Sequence, residues 1–190
     1  MADALARTSL HGRHVALGAR MGPFAGWEMP LHYEGARAEH RAVREAAGLF
    51  DVSHMGQLEV SGPGARDALR RILTNDLAIG PGRGQYTLMC DSGGGVVDDL
   101  IVYALPDRYM LVVNASNVGA CLEHLDAVLP EGVELADRSA EVAMLALQGP
   151  AWAEALRPLL GTPAALGLEY FDIAEDLVAG VPCLIARTGY

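Results

Sequence analysis

Three consecutive glycines at 93–95 restrict the folding of this chain more than any other feature. Glycine serves a turn where a side chain would be in the way. The apolar run Leu100-Ile-Val-Tyr103 that follows is short, β-branched and flanked by turn signals, so it reads as a buried strand. On the other side, Gln85-Tyr-Thr-Leu-Met-Cys90 reads as its hairpin partner. Asp98 and Asp99 lie between the glycines and the apolar run. Consecutive residues of an extended chain point to opposite faces, so at most one of these carboxylates faces a given pocket. Asp is depleted in strands and costly to bury unpaired. One reading makes the pair turn chemistry. The other holds a charge at the rim of a ligand site, ready to bind a donor or handle a proton. Local sequence leaves both open.

Around this hairpin the pattern predicts helices over 34–47, 65–73 and 118–129, stopped in turn by Gly48, the loop at 75–82 and Pro130. Strands are expected over 57–61 and 108–113, with a loop at 131–140. Residues 142–149 read as a buried strand turning into a helix over 150–160, and 170–172 and 181–187 as two more strands. The stretch 21–33, dense in Gly, Pro and aromatics, reads as an ordered loop or short strand that is packing or a binding wall. The fold class is α+β, with mixed and antiparallel sheets and helices. Residues 51–136 form a compact α+β sandwich domain, while 1–50 and 137–190 join as a discontinuous, incomplete one. The sequence stops at Arg187-Thr-Gly-Tyr190, directly after an expected strand, which predicts a fold truncated at its C-terminus.

Composition excludes several functions. The net charge is −10, against the basic stripe that a nucleic-acid surface needs. All fourteen basic residues are Arg, so no Schiff-base or Walker-type lysine exists within these residues. No apolar run reaches the length of a membrane span, and the start carries no apolar signal core, so a cytoplasmic protein is expected. Cys90, Cys121 and Cys183 are odd in number and widely spaced, and read as reduced thiols. The histidines other than His54 form no ligand pair at helical i, i+4 spacing, so no metal is expected. His54, in an apolar setting, reads as a packed histidine more readily than as a catalyst.

Six segments then line up in order: Phe24-Ala-Gly-Trp-Glu-Met-Pro30, Leu49-Phe-Asp-Val-Ser-His-Met55, Gly94-Gly-Val-Val-Asp-Asp-Leu-Ile-Val102, Val112-Val-Asn114, Ala146-Leu-Gln-Gly-Pro150 and Arg187-Thr-Gly-Tyr190. With these the chain resembles the aminomethyltransferases, the T-proteins of glycine cleavage, from about residue 8 to its last residue. The resemblance implies a T-protein-like folate-binding fold and a further C-terminal domain that this sequence lacks. It implies transfer of an aminomethyl carbon from the lipoyl arm of a partner, the H-protein, to tetrahydrofolate, with release of ammonia. It maps the family's essential aspartate onto Asp99. The folate-lining residues map onto Met55, Tyr86, Ile101, Val112, Asn114, Tyr170 and Tyr190. The family also uses a glutamate and arginines beyond residue 190, so the 190-residue chain by itself is expected to be inactive. Rival readings are a folate-binding part of a sarcosine or dimethylglycine dehydrogenase, a non-catalytic folate protein of the iron–sulfur assembly type, or an inactive remnant. The first lacks a GxGxxG fingerprint here, and the second lacks its Lys-Gly-Cys signature.

Overall fold

The computed structural model of the protein describes residues 4–189. From the N-terminal side, α1 (His11–Ala16) leads into the strands β1 (Arg20–Phe24) and β2 (Trp27–His32), then α2 (Ala36–Glu45) and β3 (Gly48–Asp51). The middle of the chain holds β4 (Gly56–Ser61), α3 (Ala65–Ile72), β5 (Arg83–Cys90), β6 (Val96–Ala104), β7 (Arg108–Val113), α4 (Val118–Val128) and β8 (Glu134–Asp137). Then follow β9 (Leu145–Gln148), α5 (Trp152–Leu156), β10 (Ile173–Val178) and β11 (Val181–Ala186).

One five-stranded antiparallel sheet organises the molecule, in the order β5-β6-β7-β4-β8. The glycine turn joins β5 to β6, as the sequence predicts, and the reason is a carboxylate. Oδ1 of Asp91 accepts the N–H groups of Gly93 and Gly95, each at 2.8 Å. A Cβ on Gly95 would lie 2.7 Å from the other carboxylate oxygen, and Gly94 has φ +83°, where a side chain is strained.

The two faces of this sheet are covered unequally. One carries Leu58, Val60, Leu100, Val102, Leu111 and Val113, packed beneath Leu69 and Leu73 of the α3 segment and Cys121 and Leu125 of α4. Each Leu or Val buried there contributes about 1.5–3 kcal/mol, which makes this the principal core. The opposite face buries only a small cluster at one end. Tyr103 and Leu105 meet Ile173 there, with Leu184 and Ala186 of the β10–β11 hairpin against them.

The N-terminal segment is clamped to β3 by polar contacts. Asp51 accepts the Thr8 hydroxyl at 2.6 Å, the Ser53 N–H at 3.0 Å and Nε2 of His14 at 2.9 Å. Nε2 donates to the carboxylate, and Nδ1 lies 2.7 Å from the Tyr33 hydroxyl, so both ring nitrogens have a partner. β3 itself pairs with β9, Gly48 opposite Gln148 and Asp51 opposite Leu145.

Several expectations need correction. The loop expected at 131–140 contains β8, which adds to β4 as the sheet's edge strand. Tyr170 and Phe171 form a turn, Asp172 makes an isolated antiparallel bridge to Arg83, and the strand starts only at Ile173. The segment 142–149 yields a four-residue strand that is half-exposed, with Leu145 49% accessible, because it pairs with β3 alone. The helix expected over 150–160 is short, α5 passing into a 3₁₀ turn at Arg157–Leu159 around Pro158. The stretch 21–33 needs no correction: of its two readings, ordered loop or short strand, the second holds, as an antiparallel hairpin turning at Ala25 and Gly26, both of positive φ.

Candidate functional site on the open sheet face

Pairing registers decide which side chains share the uncovered face. Tyr86 lies opposite Ile101, Ile101 opposite Val112, and Val112 opposite Gln57, one row across four strands. The next row begins with Leu88 opposite Asp99. Continuing the same registers one step past the ladder ends sets Asn114 beside Asp99 and Met55 beside Asn114. Alternation along each strand therefore brings Met55, Tyr86, Asp99, Ile101, Val112 and Asn114 into two adjacent rows. Ile101 and Val112 supply an apolar strip between the small cluster under the β10–β11 hairpin and the polar end of the face.

Asp99 is exposed, whereas Asp98 is only 2% accessible on the helix-covered side. The adjacent carboxylates thus point to opposite faces, as extended backbone requires. Two donors hold Asp99 in place. The Tyr86 hydroxyl donates to one carboxylate oxygen at 3.1 Å, and Nδ2 of Asn114 donates to the other at 3.1 Å and to the Asp99 carbonyl at 3.0 Å. The bond to Asp99, aided by burial and by the charges of Asp99 and Asp98, raises the Tyr86 phenol above its ordinary pKa. The phenol therefore stays protonated and remains a donor.

Met55 sits in the turn between β3 and β4, its N–H donating to the Val52 carbonyl at 3.0 Å. His54, beside it, packs edge-on against Phe24 with ring centroids 5.4 Å apart. Burial lowers its pKa, with the Asp51 charge opposing, which fits a packed neutral imidazole. Tyr170 stands at the other end of the face. The residue is 58% exposed, its ring meets Phe171 edge-on at 4.5 Å, and the Phe171 carbonyl accepts the Gly84 N–H of β5 at 2.6 Å. Tyr190 lies outside the described residues.

Sequence reading missed Asp98 and Asn117 as parts of the site. Asp98 lies on the opposite face from Asp99, yet it accepts both Asn114 and Asn117. The signal was the pair of asparagines three residues apart just before α4, where polar side chains reach backbone and carboxylate groups at a helix start. Two surface hollows of about 580 and 690 Å³ lie elsewhere, one beside Thr162 and the β10–β11 hairpin, the other along α2. The candidate site is an open face and not an enclosed cavity. Among the described residues no cluster of three or more His, Cys, Asp or Glu side chains is placed to hold a metal ion, and no helix is long and apolar enough to cross a membrane.

Comparison with known proteins adds independent findings. The family described as the GCVT N-terminal domain matches residues 10–190. The aminomethyltransferase of Symbiobacterium thermophilum is 51% identical over 198 residues, covering 100% of this chain and 53% of that protein. That of Parafrankia sp. is 50% identical, covering 98% of this chain and 51% of its own. The chain thus spans about half the length of the curated relatives it matches. The crystal structure of the glycine cleavage system aminomethyltransferase T from Bartonella henselae superimposes with a TM-score of 0.87 at 36% identity, over 98% of this chain and 51% of that one. A heterotetrameric sarcosine oxidase from Corynebacterium sp. U-96 matches 81% of this chain and 78% of its own at a TM-score of 0.57 and 23% identity, a likeness of fold alone.

Proposed function

The chain belongs to the GCVT N-terminal domain family, and from that premise we propose that its open sheet face is the folate side of an aminomethyltransferase of glycine cleavage. In this reading the aminomethyl group arrives on the lipoyl arm of a partner H-protein. Its carbon passes to tetrahydrofolate, and ammonia and the free lipoyl thiol are released, giving 5,10-methylenetetrahydrofolate. The observation that carries the proposal is the exposed Asp99 carboxylate, oriented by Tyr86 and Asn114 beside an apolar strip of Ile101 and Val112.

Each residue has a task there. Ile101 and Val112 offer a flat apolar floor for a fused aromatic ring, with Met55 at its edge as a polarizable contact. Tyr86 and Asn114 donate to Asp99, so the carboxylate does not reorient as charge develops. A fixed carboxylate stabilises positive charge on the carbon in transit and accepts a proton from a ring nitrogen. Tetrahydrofolate supplies the nucleophilic nitrogens. Tyr170 would close the far side of the ring. The free cysteines at 90, 121 and 183 suit a reducing, cytoplasmic setting.

The test uses the native-length protein with tetrahydrofolate and lipoylated H-protein. Saturable binding of tetrahydrofolate and release of ammonia are expected. Absence of both, in a protein shown to be folded, would overturn the reading.

A further inference from the structure

The uncovered face explains Asp99 but leaves a buried carboxylate with no task of its own. Asp98 is 2% accessible, and four donors converge on it. The Asn114 N–H reaches Oδ2 at 2.8 Å, and the Cys121 thiol reaches the same oxygen at 3.8 Å. Oδ1 accepts the side-chain amides of Asn114 at 2.9 Å and Asn117 at 2.6 Å. A carboxylate has about four acceptor sites, so its capacity matches this set. A buried charge so satisfied is retained only where donors surround it. Burial, reinforced by the Asp98 charge and hydrogen bond, pushes the Cys121 thiol up to about 12, so the sulfur donates as a neutral thiol.

The consequence runs through Asn114. Its Nδ2 has three oxygens within reach, Asp98 Oδ1 at 2.9 Å, Asp99 O at 3.0 Å and Asp99 Oδ1 at 3.1 Å. Surrounded by acceptors, that atom is the nitrogen, which settles the amide orientation. With both N–H bonds committed to aspartates, the carbonyl oxygen is the end left to accept a donor from outside. We propose that Asp98 is a positioning residue, which locks the Asn114 carboxamide so that one N–H steadies Asp99 while its carbonyl oxygen is presented to the ligand. The ligand part of this inference rests on the proposed function, whereas the positioning part does not. An amide at position 98 would turn an NH₂ group toward other donors, and the Asn114 side chain would lose its fixed rotamer.

Two measurements test it. The first needs no ligand: the Asn114 side-chain amide protons, followed by ¹H–¹⁵N spectroscopy, exchange slowly in the wild type and about tenfold or more faster in Asp98→Asn. The second is tetrahydrofolate affinity in the native-length protein for Asp98→Asn, Asn114→Ala and the double variant. Each single change weakens binding by about tenfold, and the double variant is no weaker than Asn114→Ala alone. A double variant weakened by the product of the two single effects, about 100-fold, would overturn the proposal, because Asp98 would then act independently of Asn114. Unchanged Asn114 exchange in Asp98→Asn would overturn it too. If the wild type fails to bind tetrahydrofolate while exchange at Asn114 still accelerates in Asp98→Asn, the proposed function falls and the positioning role stands. Should Asp98→Asn not fold, the wild type decides, through a scalar coupling across the hydrogen bond from the Asn114 side-chain nitrogen Nδ2 to the Asp98 carboxyl carbon. Its presence supports the lock and its absence refutes it.

Discussion

The Tyr86 hydroxyl donates to the Asp99 carboxylate at 3.1 Å from a diagonal position across the β5–β6 ladder, where Tyr86 itself lies opposite Ile101 and Asp99 opposite Leu88. Diagonal neighbours are about 7–8 Å apart at the backbone, within reach of a long aromatic side chain. The contact couples the titration of the phenol to the charge on the carboxylate.

That coupling is readable by ultraviolet titration. Asp99 disfavours the phenolate, so Tyr86 in the wild type titrates above the ordinary tyrosine value. In Asp99→Asn the midpoint falls back toward about 10. A Tyr86→Phe variant identifies the signal. A midpoint unmoved by Asp99→Asn would show that the two groups do not interact in solution.

Asp99→Asn also separates folding from chemistry. The side chain is exposed and contributes nothing to the principal core, so the thermal midpoint stays near that of the wild type. Aminomethyl transfer in the native-length protein falls by about 10²-fold or more through the loss of a fixed charge. Retained turnover would remove Asp99 from the mechanism.

Acid stability reports on the clamp at the N-terminal side. Burial by itself raises the Asp51 carboxyl, but donations from Ser53, Thr8 and His14 outweigh it and hold the group below its ordinary value. A depressed native pKa means stability that is present above the unfolded value, about 3.9, and lost as pH falls through the native one. Asp51→Asn should therefore cost about 1–3 kcal/mol at pH 7. Chemical denaturation should show the gap to wild type narrowing below about pH 4. A gap constant from pH 7 to pH 3 would contradict the ionised clamp.

The division into residues 51–136 and a discontinuous unit of 1–50 with 137–190 stands as a proposal, supported by β3 pairing with β9 outside the five-stranded sheet. Amides of β6 and β7, covered by α3 and α4, should exchange most slowly of all. Those of β10 and β11, in a two-stranded sheet, should exchange well before them. Slower exchange at 181–187 than at 100–105 would refute the division.

Much of this was legible in the sequence, and for local reasons. Glycines at 93–95 and the β-branched run after them specify a hairpin, and period-two alternation alone separates Asp98 from Asp99. Ordered motifs pointed to the family, and the match over residues 10–190 agrees. Helical periodicity located α3 and α4 closely, because Leu69, Leu73, Cys121 and Leu125 repeat at spacings of four. Short edge elements escaped. β8 is four residues long with acidic ends, and nothing in Glu134-Leu-Ala-Asp137 announces a strand until β4 offers it a partner.

The identity of the faces was decided by tertiary structure alone. Alternation says that two neighbouring carboxylates part company, but not which of them meets the helices. That depends on α3 and α4 packing against the side that carries Leu58, Leu100 and Leu111, which leaves Asp99 outside and Asp98 within. The row of Met55, Asn114 and Asp99 likewise exists only because β4, β7 and β6 pair in one register. β6 and β7 form a local hairpin, but the β4–β7 pairing links residues tens of positions apart, and no local preference specifies it. Burial of one apolar face selects the register, since a slip of one residue would carry Leu100 and Val102 into water and Asp99 into the core.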